Sequence, residues 1–299
     1  MPYNERITRA RPGCIIVLID QSGSMGGAFG GDSRFKKCDI VADSTNKLLN
    51  TLLTDCQRFS EETSEETNKS EIRHYFDVGV IGYGGSTGIG PAFTTPQLQG
   101  RDLIPITEIA DNAGFEQRQR SIPDGVGGLV HENIEYPFWF KAVAEKDTPM
   151  CATLQKTREI LNNWISRHSE SFPPIVINIT DGELTDGSVR DMTNKGDEIK
   201  ALSTNDGNVL LFNVHISSSN VHGILFPKSA HEIPPDEYSQ ALFEISSPLT
   251  DFMIDKAKRT SENFHALTQG CKGCGFNADF EQFVNFLNIG SSTKIEGRN

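Results

Sequence analysis

The chain has 299 residues, 36% of them hydrophobic, so it is long enough to bury a sizeable core. Its net charge of −12 disfavours nucleic acid as a general partner, because an acidic surface repels phosphate groups. No segment approaches the roughly 20 consecutive apolar residues of a membrane helix, and the first residues contain no apolar signal segment, which predicts a cytoplasmic protein with no membrane partner.

Apolar strands alternate with helical patterns along the chain. Residues 1–12 are polar and predict an arm, and the continuous apolar run Cys14–Ile19 predicts a buried parallel strand. The further predicted elements are a helix over Phe35–Phe59, an acidic loop over Ser60–Glu71, a strand that begins at His74 and stops at Gly84, a helix over Thr148–His168, strands over Pro174–Thr180 and Asn208–Ile216, and helices over Lys195–Leu202, Phe252–Asn263 and Asp279–Leu287. This alternation predicts an α/β fold of the Rossmann type, with a mostly parallel central sheet and helices on both faces.

The pattern favours one domain over residues 13–290 with two insertions. Residues 84–140 are rich in Gly, Pro and Thr and predict short strands and loops, and residues 217–247 predict a second, loop-rich insertion. Residues 291–299 form a tail. Its last residues, Ile295–Asn299, match a protease recognition sequence used in cloning, so they are either natural or a cloning remnant and are left out of the fold argument.

The six cysteines are too few for a disulfide framework in a chain of this length. Cys271 and Cys274 form a C-x-x-C pair, but a second pair and a histidine at zinc spacing are both absent from the sequence. The pair therefore favours a turn with two reduced thiols over a metal or redox site.

Polar side chains follow two of the predicted strands where these strands end. Asp20 ends the first strand and is followed by Ser22 and Ser24, and Asp181 follows the strand that ends at Thr180. Thr148 stands in a third loop, at the start of a helix. Because the carboxyl ends of parallel strands meet at one edge of a sheet, these side chains are expected to lie together there.

These five residues, Asp20, Ser22, Ser24, Thr148 and Asp181, form a candidate metal site made of oxygen ligands only. Such a site with few charges suits Mg²⁺, which keeps several waters and takes one or two carboxylates, and Mn²⁺ fits as well. The alternative is that these residues have structural roles only. Asp20 and Asp181 would then cap helices, and Thr148 would be a helix N-cap, with Thr153 as a nearby alternative to Thr148.

The motif DQSGSM (Asp20–Met25), the Thr-Pro-Met at a helix start and the TDGE at a strand end (Thr180–Glu183) together resemble the von Willebrand factor A (VWA) domain with its metal-ion-dependent adhesion site, DxSxS…T…D. The resemblance implies that Ser22, Ser24 and Thr148 bind the metal directly and that Asp20 and Asp181 act largely through water. It does not extend to Glu183 as a ligand. The resemblance covers residues from about 15 to 289.

The ending CGFNADFEQFVNFLNIG (Cys274–Gly290) is similar to that of intracellular bacterial VWA proteins encoded beside a Ser/Thr kinase and a PP2C-like phosphatase in tellurite-resistance-type stress gene clusters. This resemblance implies a signalling or stress-response module that is not an enzyme. A partner protein would present Asp or Glu as the last ligand of the metal. The kinase or the phosphatase would then be that partner.

Two other functions stay open at this stage. The first is a metal-assisted hydrolase, which needs a general base near the metal. The motif contains no histidine, and His215 at the end of a strand is favoured as a core or edge residue. The sequence Gly84–Gly88 matches G-x-S-x-G, but the residues after it cannot start the helix that this nucleophile motif requires. The second is an adaptor subunit of an AAA-type ATPase machine.

Overall fold

A computed structural model describes residues 2–59, 70–86, 88–123, 129–182, 184–218 and 223–296. Most of the expected acidic loop, Glu183 and the last three residues of the tail lie outside these residues.

Strands and helices alternate along the described part of the chain. The strands are β1 (Gly13–Asp20), β2 (Ala28–Phe29), β3 (Asp32–Lys36), β4 (Gln57–Phe59), β5 (Ser70–Ile72), β6 (Phe76–Gly85), β7 (Gly88–Pro91), β8 (Ile104–Pro105), β9 (Gly114–Pro123), β10 (Leu129–Phe138), β11 (Ile175–Thr180), β12 (Ser203–Thr204), β13 (Gly207–Asn208), β14 (Leu210–His215), β15 (Ile224–Leu225) and β16 (Cys274–Phe276). The helices are α1 (Lys37–Cys56), α2 (Ile106–Asp111), α3 (Met150–Ile165), α4 (Val189–Lys200), α5 (Glu237–Ile245), α6 (Asp251–Thr260) and α7 (Phe280–Gly290).

The central sheet is mostly parallel, which confirms the predicted fold class. Its parallel strands lie in the order β16-β14-β11-β1-β6, and antiparallel strands complete both edges, β15 at one and β7 and β8 at the other. The first strand of the chain is thus in the middle of the sheet. In the register of β1 with β11, Ile19 lies opposite Ile179, so both strands end at the same edge.

Helices cover both faces of the sheet. On β1, alternate residues such as Ile15 and Val17 share one apolar core with α1, α2, α6 and α7. The intervening residues, such as Ile16 and Leu18, share a second core with α3, α4 and α5. All residues of β1 are buried, as the continuous apolar run predicts for a strand covered on both sides.

The first insertion contains more regular structure than its composition suggests. It includes α2 and a long antiparallel ribbon in which β9 pairs with β10 from Gly114–Phe138 to Pro123–Leu129. The base of the ribbon is fixed to α1 because the amide of Asn46 donates to the Phe140 carbonyl at 2.8 Å and its oxygen accepts from the Trp139 amide at 2.8 Å.

The second insertion contains a helix where the sequence indicated loops. Asp236 caps the start of α5 by accepting from the Ser239 amide at 2.7 Å. Tyr238, Leu242 and Ile245 are buried on one side of this helix. A helix of only nine residues between polar turns leaves a weak periodic signal in the sequence.

The two ends of the described chain lie against the domain. Ile7, within the expected polar arm, is fully buried and forms a parallel bridge with Ile295. The amide of Ile7 donates to the Lys294 carbonyl at 2.7 Å, and the amide of Glu296 donates to the Ile7 carbonyl at 2.9 Å. Both segments are therefore packed rather than projecting, because each contributes an apolar side chain to the core.

Candidate metal centre

Asp20 is held in place at the carboxyl edge of the sheet. Its side chain is fully buried, and its Oδ1 accepts a hydrogen bond from the Ser22 amide at 2.9 Å. Its Oδ2 accepts a hydrogen bond from the Thr180 hydroxyl, at the end of the neighbouring strand β11, at 3.0 Å. The carboxylate is thus oriented by one contact within its own loop and one across the sheet.

The position of Asp20 is electrostatically unfavourable for a negative charge. Burial raises the pKa of Asp20 to about 6, hydrogen bonds from Ser22 act against this rise, and the negative charge of Asp181 adds to it. A positive charge brought next to a carboxylate in these surroundings stabilises its ionised form.

Hydrogen bonds through Ser22 and Ser24 connect Asp20 to Asp181, beginning at the Ser22 amide. The hydroxyls of Ser22 and Ser24 are 2.9 Å apart, and the Ser24 hydroxyl donates to Asp181 Oδ1 at 2.8 Å. Because a hydroxyl has a single hydrogen, Ser22 is the donor to Ser24. A 3₁₀ turn over Gly23–Gly26, anchored by the buried Met25, places Ser24 there.

Thr148 reaches the same edge through its backbone. The segment before it runs beside the Ser22 loop, where the Glu145 amide donates to the Gln21 carbonyl at 2.8 Å and the Gly23 amide donates to the Lys146 carbonyl at 2.9 Å. Thr148 is buried, and its amide donates to the Thr185 hydroxyl at 3.0 Å. Its hydroxyl is not part of the chain of hydrogen bonds that joins the other four residues.

A lysine that the sequence analysis missed completes the site. The ammonium of Lys37, the first residue of α1, forms an ion pair with Asp181 Oδ2, and the two side chains are only 5% and 0% exposed. The spacing in the helix contains a signal for this position. Lys37 precedes the buried Val41 by four residues and so lies on the buried face of α1.

His215 also lies beside the site. It ends β14, opposite Thr180 of β11, and its ring packs edge-on against Tyr238 with ring centroids 6.5 Å apart. Burial lowers the pKa of His215, and the charges of Asp181 and Asp236 act in the opposite direction. The sequence indicated a core or edge histidine; the structure places it at the sheet edge, near a candidate ligand.

The donor set fits a small, hard divalent cation. Asp20, Ser22, Ser24 and Asp181 belong to one chain of hydrogen bonds and bring carboxylate and hydroxyl oxygens, which Mg²⁺ and Mn²⁺ prefer, to the same edge of the sheet. Within the described residues there is no group of three or more His, Cys, Asp or Glu side chains suited to a metal ion, so any site here depends on the hydroxyls.

The C-x-x-C pair is buried away from this edge. Cys271 and Cys274 are free thiols, and burial raises the pKa of Cys274 to about 12. A thiol so strongly held in its neutral form is a poor nucleophile and a poor metal ligand. Helices of the described chain are all too short or too polar to cross a membrane.

Comparison of the whole chain with known proteins finds similar solved structures, but no match by sequence. Neither a protein family model nor a curated protein matches it. Similar solved structures include a von Willebrand factor type A protein from Catenulispora acidiphila, with a TM-score of 0.36 and 13% identity over 69% of this chain and 33% of that one. The manganese-loaded TRAP protein of Plasmodium vivax has a TM-score of 0.43 and 14% identity over 98% of this chain and 78% of that one.

Proximal thread matrix protein 1 of the mussel byssus has a TM-score of 0.40 and 15% identity, over 93% of this chain and 47% of that one. The chain therefore spans about a third of the Catenulispora protein and about half of the byssus protein. At TM-scores and identities this low, the likeness carries no argument about function. The α/β fold is established by the strand order and the two helical layers of the chain itself.

Proposed function

We propose that the chain is a metal-dependent protein–protein interaction module of the VWA type and not an enzyme. Ser22, Ser24 and Thr148 would bind a Mg²⁺ or Mn²⁺ ion directly, and Asp20 and Asp181 would act largely through water. The observation that carries the proposal is the continuous chain of hydrogen bonds from Asp20 through the two serines to Asp181. It places two acids and two hydroxyls in one small volume at the edge where α/β proteins bind ligands.

The residues of the chain would prepare the site for an acidic partner. A bound divalent cation supplies a local positive charge on a protein whose net charge is −12, which allows a carboxylate of the partner to approach. Thr180 holds Asp20, and Ser24 holds Asp181, so the ligands keep their orientation when the partner leaves. The resemblance of Cys274–Gly290 supports a bacterial Ser/Thr kinase or PP2C-like phosphatase as the partner, in a signalling or stress response.

Calorimetric titration with Mn²⁺ tests the metal site. We expect Ser24→Ala to weaken Mn²⁺ binding by at least about tenfold, because it removes one ligand and the anchor of Asp181. Ser33→Ala, in the exposed part of β3, is the matched control and should bind as the wild type does. Equal binding by the two variants would place the metal elsewhere or nowhere.

Acetate is a probe for the partner's carboxylate. If a carboxylate completes the metal site, acetate should displace water from bound Mn²⁺ and lower the water-proton relaxation enhancement of the complex. Acetamide, which has the same shape without the charge, is the control. A signal unchanged by acetate at saturating Mn²⁺ would contradict the proposed mode of recognition.

The position of His215 favours one second candidate, a metal-assisted hydrolase. Burial holds this histidine in its neutral form near Asp181, as a general base requires. This function predicts that the protein hydrolyses p-nitrophenyl phosphate or p-nitrophenyl acetate in the presence of Mg²⁺. Both Asp20→Asn and His215→Gln should abolish that activity. Activity that is absent from the wild type, or that survives in both variants, would exclude it.

A further inference from the structure

We propose that Lys37 competes with the divalent cation for the carboxylate of Asp181 and so sets the metal affinity of the site. This inference rests on the proposed function, since it concerns the same metal site. In the metal-free protein the Lys37 ammonium pairs with Asp181, and this ammonium must leave Asp181 when a metal ion takes its place.

Both oxygens of Asp181 are engaged. Oδ1 accepts a hydrogen bond from the Ser24 hydroxyl at 2.8 Å, and Oδ2 pairs with the ammonium of Lys37. Each oxygen can accept a second bond, so a cation could reach this carboxylate directly or through one water, but it would then lie beside the hydroxyl and the ammonium already bound there. Ser24 is itself a candidate ligand on the same loop as Ser22, so Lys37 is the group that has to move.

The two cations exclude each other on electrostatic grounds. The side chains of Lys37 and Asp181 are 5% and 0% exposed, so little water separates charges placed there. Like charges held a few ångströms apart in such surroundings repel strongly, and a divalent ion doubles the repulsion of a monovalent one. Simultaneous occupancy by the ammonium and the metal is thus unfavourable.

The chain holds the lysine backbone in place, so the buried side chain has to rotate when the ammonium leaves Asp181. The Lys37 amide donates to the Gly27 carbonyl at 3.0 Å, and its side-chain Cε lies 3.5 Å from where a Cβ on Gly27 would be. The Gly30 amide in turn donates to the Ser217 carbonyl at 3.0 Å. A flexible four-carbon stem can withdraw the ammonium by rotamer changes alone, with α1 and the hairpin β2–β3 fixed.

Mn²⁺ titration of the full chain tests the competition. We expect Lys37→Met to bind Mn²⁺ about tenfold more tightly than the wild type, a typical coupling between two ligands of one protein. Lys37→Arg keeps the charge and should bind as weakly as the wild type. Lys36→Met removes a neighbouring exposed lysine and is the matched control.

The outcomes separate this inference from the proposed function. If the wild type binds Mn²⁺ and Lys37→Met binds with the same or lower affinity, the competition is wrong and the metal site stands. If none of the four proteins binds Mn²⁺, the metal site fails and the competition fails with it.

A measurement without any substitution gives an independent test. Acetylation of the wild type, followed by peptide mass spectrometry, reports the reactivity of the Lys37 ammonium. We expect Lys37 to be protected in EDTA and to become several-fold more reactive in saturating Mn²⁺, with Lys36 equally reactive in both. Reactivity of Lys37 that does not change with Mn²⁺ would overturn the proposal.

Discussion

The Thr180 hydroxyl, at the end of β11, donates a hydrogen bond of 3.0 Å to Oδ2 of Asp20 at the end of β1. The same hydroxyl lies 3.4 Å from the Tyr238 hydroxyl on α5. One threonine thus connects the candidate metal site with the helix that packs beneath it. Thr180 is not a predicted ligand, yet it determines where one of the ligands points.

We expect Thr180→Val to lower the free energy of unfolding by about 1–3 kcal/mol, because it leaves one oxygen of a buried carboxylate without its donor. Valine has nearly the same shape, so packing is retained. Urea denaturation in EDTA measures the change. Thr260→Val, at the exposed end of α6, removes a hydroxyl that donates to the Lys256 carbonyl of the same helix. It should lower the free energy of unfolding far less. Equal losses in the two variants would contradict the role of Thr180.

The raised pKa of Asp20 predicts a pH dependence of stability. Its pKa is about 6 in the folded protein against 3.8 as the ordinary value, so the folded state binds the proton more tightly. In EDTA, the free energy of unfolding should therefore fall by about 2 kcal/mol as the pH rises from 4 to 6, and level off above about pH 7.

Asp20→Asn removes this titration and should flatten the profile over that range. Asp111→Asn, at the exposed end of α2, should leave it unchanged. Urea denaturation at intervals of half a pH unit measures both. A difference between the wild-type and Asp20→Asn profiles that stays constant between pH 4 and 6 would show that Asp20 is not the buried acid described above.

Gly84 is a position where the chain passes close to the site. A Cβ there would overlap the carbonyl oxygen of Asp147 and lie 3.0 Å from the Ser22 amide nitrogen, and its φ is +90°. Gly84→Ala should displace the segment that brings Thr148 to the site. We expect both a loss of stability and weaker Mn²⁺ binding by calorimetry.

Gly88→Ala separates the two causes. Gly88 also has a positive φ, +78°, but apart from its chain neighbours no atom of the described residues lies within 4 Å of its Cβ position. Gly88→Ala should therefore lower the free energy of unfolding by about 1 kcal/mol through backbone strain alone. Its Mn²⁺ affinity should equal that of the wild type. If both variants bind Mn²⁺ equally well, the close approach of Gly84 to Asp147 does not position Thr148.

A double-mutant cycle measures the ion pair of Lys37 and Asp181 in the metal-free protein. Lys37→Met leaves a buried acid without its partner, and we expect it to cost about 3 kcal/mol in EDTA. The double variant Lys37→Met/Asp181→Asn should recover part of this loss, because the isolated charge is gone. Additive losses, by urea denaturation, would mean that the two side chains do not interact in solution.

The sheet edge could be predicted because its signals are local. Strand β1 was expected over Cys14–Ile19 and runs from Gly13 to Asp20, and the strand expected over Pro174–Thr180 runs from Ile175 to Thr180. An apolar run that ends on an acid indicates both the strand and its end. The parallel order then brings Asp20 and Asp181 together without any further information.

The partners of these acids could not be predicted in the same way. The contact of Lys37 with Asp181 joins residues far apart in the sequence, and although helical spacing indicates that Lys37 is buried, it does not indicate which acid it meets. The helix itself begins at Lys37, two residues later than expected, because β3 extends through Lys36 and pairs with Ala28. Periodicity describes neighbours in the chain, whereas this site is assembled from distant loops.

The central place of β1 in the strand order determines when the site can form during synthesis. Strand β1 pairs with β6 on one side and with β11 on the other, and β11 is made only after α3. Until then one edge of a mostly apolar strand lacks its neighbour β11, and closing such long loops makes folding slow. The nascent chain must therefore carry Asp20 and its two serines until Asp181, 157 residues after Ser24, has been made.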